Sequence, residues 1–356
     1  MSKIPLTGLV GSQPIGALAA FGLLRVCSSR AALGQVKLGW NWAAEPTAVL
    51  VTETDCDADC LVELLVDHMN GRHQFPPFCG QAPMPTPNGS PAEVWDDLKP
   101  SPKDFTDLLT QTRDASSASN REAVDFLAAF GCELITASST GDLKPTAFDM
   151  TAGQQKFLKS VRELAASLTL ASQVKRRKKQ HGSSADPVRS AFREALFGPW
   201  TYGDDFHSLG WDPSTEALHA LSAIAPTDAG PKSVRAAVWL AVEALPLFPC
   251  FPVAGRLHTR GFSRTADEFR WPIWQEPISL DALRSLFGLR DLYQTPPRSK
   301  SLCSRGIVCL YASVRETDAN GRGIFRPAVL VPLAGKQSSE EGAGSEELLL
   351  QGPQLR

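Results

Sequence analysis

Four arginines fall at short intervals in "GRLHTRGFSRTADEFRWPIW". Arg256, Arg260, Arg264 and Arg270 alternate there with His258, Phe262, Phe269, Trp271 and Trp274. A guanidinium is planar and permanently charged, so it pairs with phosphate or with a guanine edge, and an aromatic face stacks on an unpaired base. Only Asp267 and Glu268 oppose the four cations. Nucleic-acid contact therefore competes with the plainer reading, in which the aromatics are core and the arginines reach from it to the surface.

A denser cationic run, Lys175, Arg176, Arg177, Lys178 and Lys179, sits in "LASQVKRRKKQHGSSADP". Five consecutive cations cannot share one buried face. A solvated loop, a nuclear import signal and a phosphate-contacting finger all stay open on the residues alone. Upstream, Thr151 and Gln154 have the spacing of a capping box, which puts Gln155 and Lys156 on an exposed first turn where free N–H groups and a cation could meet a phosphate.

Enzymatic alternatives rest on two clusters. "GDDFH" offers Asp204, Asp205 and His207 for a metal or for acid and base work, the basis of a metal-dependent hydrolase or nuclease reading. Cys56, Cys60, His68, His73 and Cys79 supply enough ligands for one tetrahedral zinc, but their spacing matches no strong zinc pattern and a helix between them would carry the ligands apart. There is no G-x-S-x-G, no H-E-x-x-H and no Gly-rich phosphate loop with its Lys. The expectation is a non-enzyme with no metal and no cofactor.

The elements that position these groups follow from periodicity. "SQPIGALAAFGLLRVCSS" predicts an amphipathic helix capped by Ser12, with Pro14 in its first turn. "VKLGWNW" and "TAVLVTE" read as strands, and "DADCLVELLVDHMNG" as a helix closed by Gly71. Residues 75 to 103 hold too many prolines for a helix or central strand. "SNREAVDFLAAFGC" predicts a helix capped by Asn120 and stopped at Gly131, followed by the strand "CELITAS". "DMTAGQQKFLKSVRELAASLTLASQ" has the longest helical signal, and "PVRSAFREALFG", "GPKSVRAAVWLAVEALP" and "SLDALRSLFGL" predict three more helices, the last capped by Ser279. "GIVCLYASV" and "FRPAVLVPL" predict a C-terminal hairpin around Asn320-Gly321.

The expected class is α+β. A mixed N-terminal region spans residues 1–145, a mainly helical region with the basic loop 173–187 spans 146–250, an Arg- and aromatic-rich segment with strands spans 251–335, and a tail follows to 356.

The chain has 356 residues, 43% hydrophobic, and a net charge of -2. No apolar run approaches the roughly 18 residues that would span a bilayer, and the N-terminus is broken by Pro5, Gly8, Gly11 and Pro14 before a signal sequence can form. Eight scattered cysteines fit reduced thiols, so cytoplasm is the expected compartment, with no membrane partner. The small net charge hides an asymmetry. Glu45 to Asn70 carries seven acids and no Lys or Arg, whereas Ala171 to Trp200 carries seven cations against Asp186 and Glu194. A dipolar chain of this kind can hold a polyanion on one face.

Several phrases resemble a known family. "PIGALAAFGLLRVCSS" is similar to the N-terminal helix of the large subunits of type I CRISPR surveillance complexes. "KPTAFDMTAGQQKFLKSVREL", "FREALFGPW", "SLGWDPSTEALHALSAIAP", "ALPLFPCFPVAGRLHTRGF" and "FRWPIWQEPISLDALRSLFGL" resemble, in order, the smaller large subunits of type I-G (formerly I-U) systems. The likeness covers about residues 5 to 290. It implies a non-catalytic subunit of an RNA-guided antiviral complex, with guide RNA, sister subunits, target double-stranded DNA and a recruited helicase-nuclease as partners. Such a subunit reads the short flanking motif and stabilises the R-loop, while the guide reads sequence. It also implies a prokaryotic host, which removes nuclear import as the role of the Lys175 to Lys179 run. A purely structural subunit that touches only protein is the remaining alternative.

Overall fold

The computed structural model describes residues 1–42, 44–80, 94–117, 121–169, 186–215, 232–263, 265, 267–317 and 321–333. It is an α+β protein built on two main antiparallel sheets. The first sheet comprises β1 (Ser2–Val10), β2 (Val36–Trp42), β3 (Pro46–Thr52) and the short β9 (Ile278–Ser279), in the order β1-β3-β2-β9. Alternation sets its register, with Leu6 opposite Ala48 and Leu38 opposite Leu50, all four buried.

Helix α1 (Pro14–Ser28) packs against this sheet and against α8 (Arg235–Glu243). It is buried from Pro14 to Cys27, so it is a core helix rather than the amphipathic one expected. Nor does Ser12 cap it: Gln13 holds the N-cap position with no side-chain bond, and Pro14 supplies the preset first turn. Gly22 lets the two helices touch. A Cβ there would lie 1.7 Å from the Leu240 carbonyl oxygen, closer than any atom can sit.

Four helices meet around buried charge. They are α1, α2 (Ala58–His68), α5 (Glu122–Phe130) and α8, joined by the turn at Arg72. Glu243, fully buried, accepts from Arg72 Nε and Nη2 at 2.9 Å each and from Arg25 Nη2, while its backbone carbonyl accepts from Arg25 Nε at 2.5 Å. Glu122 accepts from Arg25 Nη1 at 2.9 Å and from Arg72 Nη2 at 2.7 Å. His68 completes the network. Arg30 can only donate, so Nδ1 is the acceptor at 3.0 Å, and Nε2–H donates to Glu243 at 2.9 Å. The ring is therefore the neutral tautomer. Burial first, then Arg72 and Arg25, hold it well below the ordinary histidine value.

The second sheet centres on β10 (Ile307–Thr317), flanked by β8 (Glu268–Trp274) on one side and by β11 (Gly323–Phe325) and β12 (Val329–Val331) on the other. The strand expected over "FRPAVLVPL" is thus split, with Pro327 in the break; Asn320 lies outside the described residues. Around this sheet Phe148, Phe248, Phe262, Phe269 and Phe325 pack ring to ring at 4.9 to 6.4 Å. Each such ring removes roughly 150–250 Å² from water, which makes this cluster a main source of stability.

The remaining elements are short or peripheral. α3 (Pro76–Cys79) is a single turn at the start of the stretch expected to be loop, and α4 (Pro102–Asp114), capped by Ser101, follows it. β4 (Gly131–Thr136) pairs with β5 (Leu143–Pro145). α6 runs only over Phe157–Ser167, and the capping box expected at its start does not form. Thr151 bonds Asp149 Oδ1 through both its hydroxyl, at 2.7 Å, and its N–H, at 3.0 Å. α7 (Pro187–Phe197) is capped by Asp186, as Pro187 implied, and α9 (Leu280–Phe287) is capped by Ser279.

Candidate nucleic-acid interface

The chain leaves the core at Pro249 and returns at Arg260 as a hairpin, β6 (Cys250–Val253) and β7 (Arg256–Thr259). Its register, Cys250 opposite Thr259 and Val253 opposite Arg256, leaves a two-residue turn of Ala254 and Gly255. Both turn residues have positive φ, 49° and 74°, as a turn matching strand twist requires. Gly255 takes that region freely. Ala254 does so at a cost of about 1 kcal/mol.

The hairpin is anchored at its root. Thr259 is buried, and its hydroxyl accepts from the Ala147 N–H at 3.0 Å; the Cys250 thiol lies 3.4 Å from the Ala129 carbonyl. Beyond the root, every residue from Phe251 to Arg256 is exposed. Phe251 is 37% and Val253 47% exposed, an apolar projection left uncovered by the described residues.

Beside the hairpin opens a cavity of about 680 Å³. Phe251 and His258 form one wall, their rings 4.9 Å apart, and Arg260, Arg290 and Tyr293 line the rest, with no carboxylate among the lining side chains. Burial pushes the Tyr293 phenol up, so it stays protonated and donates to the Phe287 carbonyl at 3.0 Å. Buried Arg270 fixes the far wall by donating to the Gln294 carbonyl at 2.9 Å and to the Leu292 carbonyl at 3.3 Å. Among the described residues, Arg256, Arg260 and Arg290 make no ion pair. A cationic hollow next to a projecting aromatic suits a phosphodiester with an unstacked base.

This arrangement divides the Arg-rich segment. Arg260 lines the cavity, Arg256 is exposed beside the hairpin turn, Arg264 lies outside the described residues, and Arg270 is an internal tether. The aromatics expected to stack on bases are core. Phe262, Phe269, Trp271 and Trp274 are buried, with the indoles donating to the Gly11 and Leu38 carbonyls at 2.8 and 2.9 Å. The exposed ring of this segment is Phe251, which, like Arg290 and Tyr293, carries no local signal in the sequence. Ala-Gly is a weak turn signal, so nothing local marked "CFPVAGRLHT" as a hairpin.

The other sequence-level candidates fall elsewhere. Lys175, Arg176, Arg177, Lys178 and Lys179 lie outside the described residues. Gln155 and Lys156 precede α6 instead of sitting in its first turn. Gln155 bonds the His207 ring at 2.9 Å, and Lys156 pairs with Asp97 at 3.2 Å. The "GDDFH" carboxylates are each met by a cation: Asp204 accepts from the Arg235 N–H at 3.0 Å and lies 3.4 Å from its Nε, and Asp205 pairs with Lys232 at 2.6 Å. The zinc set is dispersed. Cys56 and Cys60 lie together, His68 belongs to the buried network, and the Cys79 thiol faces the His73 carbonyl at 3.8 Å. Among the described residues no three His, Cys, Asp or Glu side chains converge as a metal site.

Part of the charge asymmetry is internal. Arg189 of α7 pairs with Glu63 of α2 at 2.5 Å, and Arg193 pairs with Asp59. The two oppositely charged segments therefore meet, and the charges of these two pairs neutralise one another at that contact. No helix among the described residues is long and apolar enough to cross a membrane. No family model, curated protein or solved structure matches the chain.

Proposed function

We propose that this chain is a non-catalytic, nucleic-acid-binding large subunit of an RNA-guided surveillance complex of the type I-G CRISPR class. In this reading it contacts target DNA beside the guide-paired segment, senses the flanking motif and stabilises the opened strands. The observation that carries the reading is the exposed hairpin tip, Phe251 to Arg256, next to a carboxylate-free cavity lined by Arg260 and Arg290. The resemblance of residues 5 to 290 to that family supplies the polyanion. Lys175 to Lys179 are assigned to phosphates of the duplex or the displaced strand, where sequence is not read.

The test is target binding by the complex that co-purifies with this chain, measured on duplexes of varied flanking sequence across a salt series. Arg260→Ala is expected to weaken binding and narrow the difference between flanking motifs by about 1–3 kcal/mol if Arg260 reads a base. Replacing the five loop cations with Ala is expected to flatten the dependence of log K on log salt, by about 0.9 for each duplex phosphate they no longer neutralise. Unchanged affinity for both variants at every salt concentration, or failure to co-purify with guide RNA, overturns the proposal.

A further inference from the structure

The thiols of Cys56 and Cys60 face each other with their sulfurs 2.9 Å apart, and the Cys56 thiol donates to the Cys60 sulfur. Asp57 caps α2 by accepting from the Cys60 N–H at 2.8 Å, which brings the residue before the cap and the third helical residue to the same side of the first turn. The pair lines an open cavity of about 640 Å³ whose other walls include Ser2, Lys3, Pro5 and Asp55. Cys60 is exposed and Cys56 is buried, so a reagent meets one sulfur first and finds the second directly behind it. Cys56 is held in place from the other side as well, since its N–H donates to the Ser2 hydroxyl at 3.3 Å.

We propose that Cys56 and Cys60 form a dithiol that reacts reversibly with small-molecule disulfides, closing to an intramolecular disulfide across the first turn of α2. The inference is independent of the nucleic-acid reading. The Cys60 thiolate attacks one sulfur of a disulfide RSSR, forming the mixed disulfide and releasing one RS⁻. Cys56 then gives its proton to water and attacks the Cys60 sulfur, expelling the second RS⁻. The protein loses two electrons and two protons, and RSSR is reduced to two RSH. Burial and the hydrogen bond to Cys60 push the Cys56 thiol up to about 12, which fits it to the second, proximity-driven step rather than to the first encounter. Closing the sulfurs to a bond length of about 2.05 Å needs a movement of less than about 1 Å between them.

Asp59 and Glu63, the α2 carboxylates that pair with Arg193 and Arg189, flank Cys60 in sequence.

The experiment treats the full chain with graded ratios of oxidised to reduced glutathione, quenches with acid, alkylates free thiols and maps the tryptic peptide of residues 38–72, which contains both cysteines and no others. The expected result is a peptide lighter by two hydrogens, unalkylated and free of glutathione, that reverts on reduction. In Cys56→Ser the same peptide is expected to retain a glutathione adduct on Cys60 at the oxidising ratios, because no second thiol within the peptide displaces it. A wild-type peptide that accumulates the adduct to the level of Cys56→Ser, or that is fully alkylated at every ratio, overturns the proposal.

Discussion

Arginine is used in opposite ways in two parts of this molecule. Around Glu243, Arg25 and Arg72 are buried, and each meets two carboxylates from other helices. At the hairpin, Arg256, Arg260 and Arg290 meet none among the described residues, and an exposed phenylalanine stands beside them. The first set is satisfied internally, so it holds four segments in register and has no capacity left for a ligand. Among the described residues the second set makes no side-chain ion pair. Arginine count is the same kind of signal in both places, and only the presence of a carboxylate within reach separates a structural role from a binding one.

The comparison breaks first at its buried end. Glu243→Gln leaves Arg25 and Arg72 in a desolvated site with Glu122 as their one anionic partner among the described residues, and a loss of about 3–5 kcal/mol is expected in urea unfolding. Gln in place of Glu243 with unchanged stability would mean that the network is not needed to hold the helices together.

The same network sets an acid limb. His68 is neutral in the folded protein, so the unfolded chain binds the extra proton once pH falls below about 6.5, and stability is expected to decline from there. Glu122 adds a second decline. Burial raises its carboxyl, but Arg72 and Arg25 outweigh that and bring it to about 2, so its contribution is full above the unfolded value of about 4.5 and is lost as pH falls toward 2. His68→Gln keeps a donor for Glu243 and an acceptor for Arg30 and is expected to remove the limb that starts near neutrality while leaving the lower one. Thermal unfolding as a function of pH reads both.

At the exposed end, Gly255→Ala places a Cβ in a left-handed turn that is otherwise open, with an expected cost of about 1 kcal/mol and a looser hairpin. Arg256→Ala has the smallest expected effect on folding, within about 0.5 kcal/mol, and under the proposed function it is expected to weaken DNA binding. A Tm shift as large as that of Glu243→Gln would place Arg256 with the structural arginines and dissolve the contrast.

Much of the local structure is legible in the sequence. Pro187 at the start of α7, Ser279 before α9 and the alternation in β2 and β3 lead directly to the observed elements, because caps and period-two patterns act over a few residues. The misses have equally physical causes. β1 alternates from Lys3 to Gly8 but carries Pro5 and Gly8, which lower its strand propensity, and Thr151 prefers the nearby Asp149 to an N-cap role. The candidate site was half legible: Arg256 and Arg260 were found by charge density, whereas Phe251, Arg290 and Tyr293 were not, since they carry no local signal of exposure or convergence.

By itself the amino-acid sequence determined the α+β class, most helix positions, the strands β2, β3, β4 and β10, and where cationic side chains are dense. The tertiary structure alone decided which of those cations are already paired. Arg25 finds Glu243 218 positions away, and Arg189 finds Glu63 126 positions away. It also decided that Trp271 and Trp274 face the core while Phe251 faces solvent. Electrostatic neutralisation and burial act through space at a few ångströms, and chain neighbours carry almost no information about which distant groups folding will bring that close.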